Sequence, residues 1–244
     1  MTTDDLFKDS VVCQLMKRDG ISKSTIRTLF DRFRRLQNSA PTRERRRNPE
    51  WQLDGISHAL LRAIAYRDPY STEHMETVAR LAVLLANKLG LDQDTVGVIS
   101  VGAQLHDIGK IGIPLEVLIK PSQLSTEEMS LVRGHARIGW EIVNQFRGVC
   151  PAIKDIVLFH HERLDGSGYP FGHKSEAIPF GARLVGVADV IESMATHRPY
   201  RPALGLVPAI DEIMRHRGSL YDPEIVDVAI ATADEIAALL ASPT

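Results

Sequence analysis

The chain has 244 residues, 44% hydrophobic and 25% charged, with a formal net charge of −2; this composition gives a globular protein with a substantial core and excludes a disordered or membrane-embedded chain. So small a net charge supplies no global field for nucleic acid, which is therefore not an expected partner, and a polyanionic ligand must be met by a local positive cluster. Cys13 and Cys150 stand far apart without a CxxC pattern, so neither a disulfide framework nor a thiolate zinc site is suggested. The acidic start MTTDDLFKDS has no apolar signal region, and no run of about 18 apolar residues occurs, so no membrane segment and a cytoplasmic location are expected.

Residues 1–50 are basic, carrying Lys17, Arg18, Lys23, Arg27, Arg32, Arg34, Arg35, Arg43 and Arg45 to Arg47. Leu29, Phe33 and Leu36 predict an amphipathic helix ending near Asn38. It reads as a solvated or dimerising helix before a Ser-Ala-Pro-Thr linker, so a homodimer through this helix is an expected partner; the stretch GISKSTIRTLF keeps a helix-turn-helix recognition segment as the alternative.

From Trp51 the pattern is helical. Leu53, Ile56, Leu60 and Ile64 mark a first helix that stops before Asp68-Pro69. A second runs from near Ser71 to a C-terminal Gly90, with His74 in its first turn. A third, from about Gln93, carries Val101, Ala103 and Leu105 into His106-Asp107 at its end. After the Ile111 to Pro114 loop, Leu115 to Ile119 form a short element. Ser125 and Glu128 then form a capping box for a helix predicted to include His135. Pro151 opens a helix closed by His160-His161. Asp165 to Pro179 form a Gly- and Pro-rich loop of roughly fifteen residues, a length often functional inside a compact domain. Phe180 to Thr196 form a helix containing Asp189, and two more helices are predicted, one with Ile210, Ile213 and Met214, the other capped by Asp222-Pro223-Glu224. Nothing in residues 51–244 calls for a strand, so the expected fold class is all-α, a helical bundle.

A His-Asp dipeptide alone arises often by chance or as a helix cap. Here His74, His106, Asp107, His135, His160, His161 and Asp189 all sit on helices with an apolar face turned inward. His58, His173, His197 and His216 read instead as solvated or capping residues and are left out. Burying five imidazoles and two carboxylates in one core costs on the order of several kcal/mol for each uncompensated charge, a cost that metal ions remove. Seven ligands exceed the needs of one ion, and a carboxylate bridging two ions resolves the count.

These residues resemble the HD-GYP domains, a branch of the HD metal-dependent phosphohydrolases that degrade bacterial cyclic dinucleotides, above all cyclic di-GMP. The likeness covers about residues 56 to 215 and rests on HDIGKIGIP from His106, HHERLDGSGYP from His160, the VADV around Asp189 and RPYR from Arg198. It implies an HD-type bundle over 51–244 with 1–50 as a short helical extension. It also implies two divalent ions, iron or manganese, bridged by Asp107, with His74, His106 and Asp189 on one and His135, His160 and His161 on the other. A third ion is not expected, because the position of the family's extra glutamate is Tyr70 and Glu73 is misplaced for that role.

The activity implied is hydrolysis of cyclic di-GMP to pGpG, and on to GMP if it continues, by a metal-bridging hydroxide. Lys110 would neutralise phosphate charge or assist the leaving oxygen as a catalytic partner of Asp107. Arg198 would contact phosphate, with Arg201 standing where lysine is usual. Tyr169 would stack on guanine or wall the cleft, while Gly166 and Gly168 allow unusual backbone angles. The family also uses this loop to contact GGDEF-domain proteins. Departures from the pattern are Thr77, Leu164, Glu192 and His197. The alternatives are a slow or inactive cyclic di-GMP sensor, or a phosphodiesterase for another cyclic dinucleotide such as 3′,3′-cGAMP.

Overall fold

The computed structural model describes residues 22–23, 69–146, 148–197 and 202–242. The predicted N-terminal helix with its dimerising and helix-turn-helix readings, the helix predicted from Leu53 to Ile64 and the segment boundary after residue 50 lie outside the described residues. From Pro69 onward, ten α-helices and two 3₁₀ turns are described, and the only β pairing among the described residues is an isolated bridge between Arg217 and Tyr221. The all-α expectation holds.

Helix α1 (Pro69–Lys88) starts two residues earlier than predicted, because proline at the first helical position gives up only an N–H that has no partner there. It closes at Gly90, whose φ of 73° lets the Gly90 N–H reach Asn87 O (3.0 Å) and the Leu91 N–H reach Ala86 O (3.1 Å). Helix α2 (Gln93–Leu105) is capped by Asp92, which accepts from the Thr95 N–H at 2.9 Å, and ends at His106. A 3₁₀ turn, Ile108–Gly112, leads into α3 (Leu115–Leu118). The Ser125–Glu128 capping box is formed and opens α4 (Thr126–Arg133).

Two expectations give way here. Helix α4 does not run through His135: it stops at Gly134, the residue type least suited to a helix interior after proline, and His135 opens α5 (His135–Asn144). After α6 (Pro151–Phe159), α7 (Phe180–Ala195) and α8 (Leu206–Arg215), the C-terminal stretch forms two helices, α9 (Pro223–Ala231) and α10 (Ala233–Ala241), where one was predicted. Thr232 causes the break. Its hydroxyl donates back to the Val228 carbonyl (2.8 Å) and its backbone leaves the helical region at φ −112°, ψ 19°.

The main core joins α1, α2 and α7 through Leu81, Leu85, Ile99, Leu184 and Ile191, with α8, α9 and α10 adding Ile213, Ile225 and Ile236. A smaller cluster contains Met75, Leu105, Ile108, Ile153 and Val157. Met75, Leu105 and Ile108 are chain neighbours of His74, His106 and Asp107. Each buried side chain of this size contributes about 1.5–3 kcal/mol, so the apolar packing also fixes which way the neighbouring polar side chains face. No helix among the described residues is long and apolar enough to cross a membrane.

The 3₁₀ turn touches α5 at its backbone. A Cβ at Gly109 would lie 1.9 Å from the His135 carbonyl oxygen and 2.4 Å from the Gly139 nitrogen, so only glycine allows the turn to bring Asp107 up to His135. Gly109→Ala is expected to destabilise the fold by about 2–3 kcal/mol, in the range of overpacked interiors. For a domain of this size that lowers the melting temperature by about 4–12 °C. Differential scanning calorimetry checks it, and an unchanged melting temperature would refute the close contact.

Candidate metal centre

All seven residues singled out as ligands converge. His106 and His160 cap the C-terminal ends of α2 and α6, His135 opens α5, and His74 and Asp189 face inward from α1 and α7. The helix ends set the imidazole orientation. Nδ1 of His106, His135 and His160 lies 2.7, 2.6 and 3.0 Å from the carbonyl oxygens of Ala103, Val132 and Val157, three residues back in each case. A carbonyl only accepts, so in each ring Nδ1 carries the proton and Nε2 offers its lone pair to the centre. His74 differs, with Nδ1 2.5 Å from Oε2 of the buried Glu192 on α7.

Asp107 lies between two groups of nitrogens. Its Oδ2 is 3.5 Å from His74 Nε2 and 3.4 Å from His106 Nε2, while Oδ1 is 3.2 Å from His135 Nε2. Asp189 joins the first side, with Oδ1 3.1 Å from His74 Nε2 and 4.0 Å from His106 Nε2. On the other side, Asp107, His135, His160 and His161 each place a ligand atom within 4.8 Å of the others. Both groups therefore share the one carboxylate.

The chemistry of this donor set fits a cation. Nε2 of His135 and of His160 are 3.4 Å apart, both lone-pair bearing, and face a carboxylate. Asp107 Oδ1 and His106 Nε2 are buried without a hydrogen-bond partner. Converging unprotonated donors repel one another unless positive charge lies between them, as divalent ions held by imidazole and carboxylate would provide. Burial holds His135 below its usual imidazole range, and burial reinforced by neighbouring imidazoles holds His160 and His161 well below it, so these rings stay neutral and ligand-competent. Burial alone would raise the Asp107 carboxyl, but the Lys110 charge beside it outweighs burial and keeps it well below the ordinary carboxylate range.

The other predicted site residues divide. Lys110 Nζ donates to Asp107 Oδ2, which puts its charge beside the shared carboxylate. Tyr169 stacks on His161 with centroids 4.6 Å apart at 27°, and meets His135 edge-on at 6.3 Å. Burial first, then the charges of Asp107 and Asp189, push its phenol upward, so it remains protonated. Arg198 and Arg201 lie outside the described residues, as does His58 among the histidines left out. His173, His197 and His216 do not join the ligand groups.

Sequence reasoning missed three residues. Glu162 is buried, and its carboxylate accepts the N–H groups of Phe171 (2.8 Å), Gly172 (3.1 Å) and His173 (3.0 Å), folding the Gly-rich loop back over the His160-His161 pair. Its place directly after two ligands was the available signal. Gly166 has φ 84° as expected, whereas Gly168 is needed for room: a Cβ there would lie 2.5 Å from His161 O. Arg133 lies 5.3 Å over the Tyr169 ring, a contact across the turn into α5 that no local pattern announces. Glu192, one of the departures from the family pattern, faces His74, and its spacing of three from Asp189 puts both on one face of α7.

Residues 58–225 match the HD domain family. The cyclic di-GMP phosphodiesterase response regulator RpfG of Xanthomonas campestris pv. campestris is 39% identical over 225 residues, 91% of this chain and 56% of the relative. The 3′3′-cGAMP-specific phosphodiesterase 2 of Vibrio cholerae is 32% identical over 188 residues, 77% of this chain and 36% of the relative. The chain spans about half the length of the first curated relatives it matches. Among solved structures, Bd1817, an HDG"Y"P protein from Bdellovibrio bacteriovorus, aligns with a TM-score of 0.58 at 22% identity, covering 71% of this chain and 56% of that one, which establishes the shared fold. With the HD pair, the HHE triplet and the GYP loop in place around one buried cluster, the chain belongs to the HD-domain family, in its HD-GYP branch.

Proposed function

We propose that the chain is a metal-dependent phosphodiesterase that opens cyclic di-GMP to linear pGpG. The observation that carries the reading is Asp107, a buried carboxylate whose two oxygens face different sets of imidazoles. His74, His106 and Asp189 would hold one ion and His135, His160 and His161 the other, with Asp107 common to both; iron or manganese suits these donors. When bound, such ions supply an activated water at neutral pH and neutralise charge on the phosphate oxygens.

The chain's own groups supply the rest. Lys110, beside Asp107, adds a fixed positive charge where the scissile phosphate would approach. Tyr169 keeps its proton and offers a hydrogen bond from the wall of the site. Arg198 and Arg201 are proposed phosphate contacts. Ring opening adds water at phosphorus and releases the 3′ oxygen as a hydroxyl, and donors around the phosphate stabilise the charge that builds before release. The Gly-rich loop is the proposed contact for a GGDEF-domain protein, the helix predicted from sequence within residues 1–50 the proposed dimer contact, and the cytoplasm the proposed location.

The likeness to the RpfG relative covers more of the chain at higher identity than that to the cGAMP-specific relative, which favours cyclic di-GMP as first substrate. Protein reconstituted anaerobically with Fe(II) or Mn(II) is expected to convert cyclic di-GMP to pGpG, followed by chromatography, with 3′,3′-cGAMP turned over more slowly. Asp107→Ala is expected to lower turnover by at least about 100-fold, since both ions lose a ligand. Hydrolysis of 3′,3′-cGAMP with cyclic di-GMP intact overturns the substrate assignment; binding without turnover of either, in wild type and variant alike, makes the chain a sensor.

The neutral imidazoles give a pH dependence. His135, His160 and His161 titrate lower in the folded chain than in the unfolded one, so the unfolded chain binds more protons as pH falls. Their contribution to stability is complete above about pH 6.5, the unfolded imidazole value, and is lost as pH drops toward the folded values; the depressed Asp107 and Asp189 carboxyls act in the same sense at lower pH. Chelator-treated protein should melt at a lower temperature at pH 5 than at pH 7.5. A melting temperature that is flat or rises on acidification contradicts the neutral state of these rings.

A further inference from the structure

The imidazoles are oriented by unequal partners. His106, His135 and His160 each give the Nδ1 proton to a neutral carbonyl of their own segment. His74 instead meets Oε2 of Glu192 at 2.5 Å, across 118 residues of sequence and from a different helix. Glu192 is itself buried and held: its Oε1 accepts from the Thr196 hydroxyl at 2.9 Å. One turn earlier on α7, Asp189 Oδ1 accepts from the Ser193 hydroxyl at 3.1 Å. The side of the centre made by His74, His106 and Asp189 thus has an added buried carboxylate behind one of its ligands. On the side made by His135, His160 and His161, two of the three rings have only carbonyl partners at Nδ1 in the same role.

A carboxylate bound to Nδ1 fixes the tautomer with the Nε2 lone pair aimed at Asp107 and Asp189, and it makes that nitrogen a stronger donor than a carbonyl does; loss of such a partner typically weakens metal binding by about 10–100-fold. Glutamate here also reaches His74 from α7 with one more methylene than aspartate, so the contact depends on chain length as well as charge.

We propose that Glu192 is a positioning residue that makes the two halves of the centre unequal: through His74 it strengthens the ion position formed by His74, His106 and Asp189 over that formed by His135, His160 and His161. The inference rests on the two-ion reading above. It implies that a singly loaded protein carries its ion on the His74 side.

The test is titration of chelator-treated full-length protein with Mn(II), by calorimetry and by elemental analysis after desalting. Wild type is expected to bind two ions in resolved steps, with His74→Ala removing the tighter step and His135→Ala the weaker. Glu192→Gln, which keeps the shape and removes the charge, should weaken the tighter step by about 10–100-fold while leaving the weaker step within about threefold; Glu192→Asp should recover part of the loss. A general structural defect would instead weaken both steps together, and that result overturns the assignment. Two steps that Glu192→Gln leaves unchanged overturn it as well, with the two-ion reading intact. Two ions taken up in a single unresolved step overturn this inference with the two-ion reading intact, and one ion per chain in wild type removes the two-ion reading itself. If Glu192→Gln does not fold, Glu192→Asp alone decides: affinity lowered only at the tighter step supports the assignment, and equal loss at both steps refutes it.

Discussion

The structure depends on one buried carboxylate facing two ways. Asp107 is buried, and apart from the Lys110 ammonium the nitrogens facing it are imidazole Nε2 atoms that carry lone pairs in place of protons. An arrangement of that kind is unfavourable by itself, because desolvating a carboxylate among unprotonated imidazoles leaves only Lys110 and polarised neighbours to oppose the cost. It becomes favourable when cations lie among the donors. The elements that hold these residues in place are therefore best understood as support for a charge distribution that the protein alone does not complete.

That support is mostly local. Three imidazoles are aimed by carbonyls one helical turn behind them, so the ends of α2 and α6 and the turn into α5 set orientation with no distant partner. Long-range contacts enter where local geometry does not reach. Gly109 permits backbone contact between the Asp107 turn and α5. Glu162 ties the Gly-rich loop to the end of α6, and the Glu192 contact joins α7 to α1. Through the second of these, the loop bearing Tyr169 is tied to the residue directly after the His160-His161 pair.

The helical class, most helix ends and all seven converging polar residues were legible in the sequence, because each depends on periodicity or on a cap a few residues long. Ser125 with Glu128, Pro151 and Gly90 carry such signals, and the structure uses them as read. What was not legible depends on position in space. The break at Gly134 separates α4 from α5 within one apolar pattern, and the Thr232 break turns on a single hydroxyl bonding backward. Glu192 is a departure from the family pattern in sequence, and only the fold brings it to its partner 118 positions away.

The central claim, that two divalent ions share Asp107, is tested most directly by anomalous diffraction from crystals of manganese- or iron-loaded protein, collected at the absorption edge of the metal. The account predicts two anomalous peaks, one on each side of the Asp107 carboxylate, the first among His74, His106 and Asp189 and the second among His135, His160 and His161. A single peak, or peaks whose ligands exclude Asp107, would contradict it.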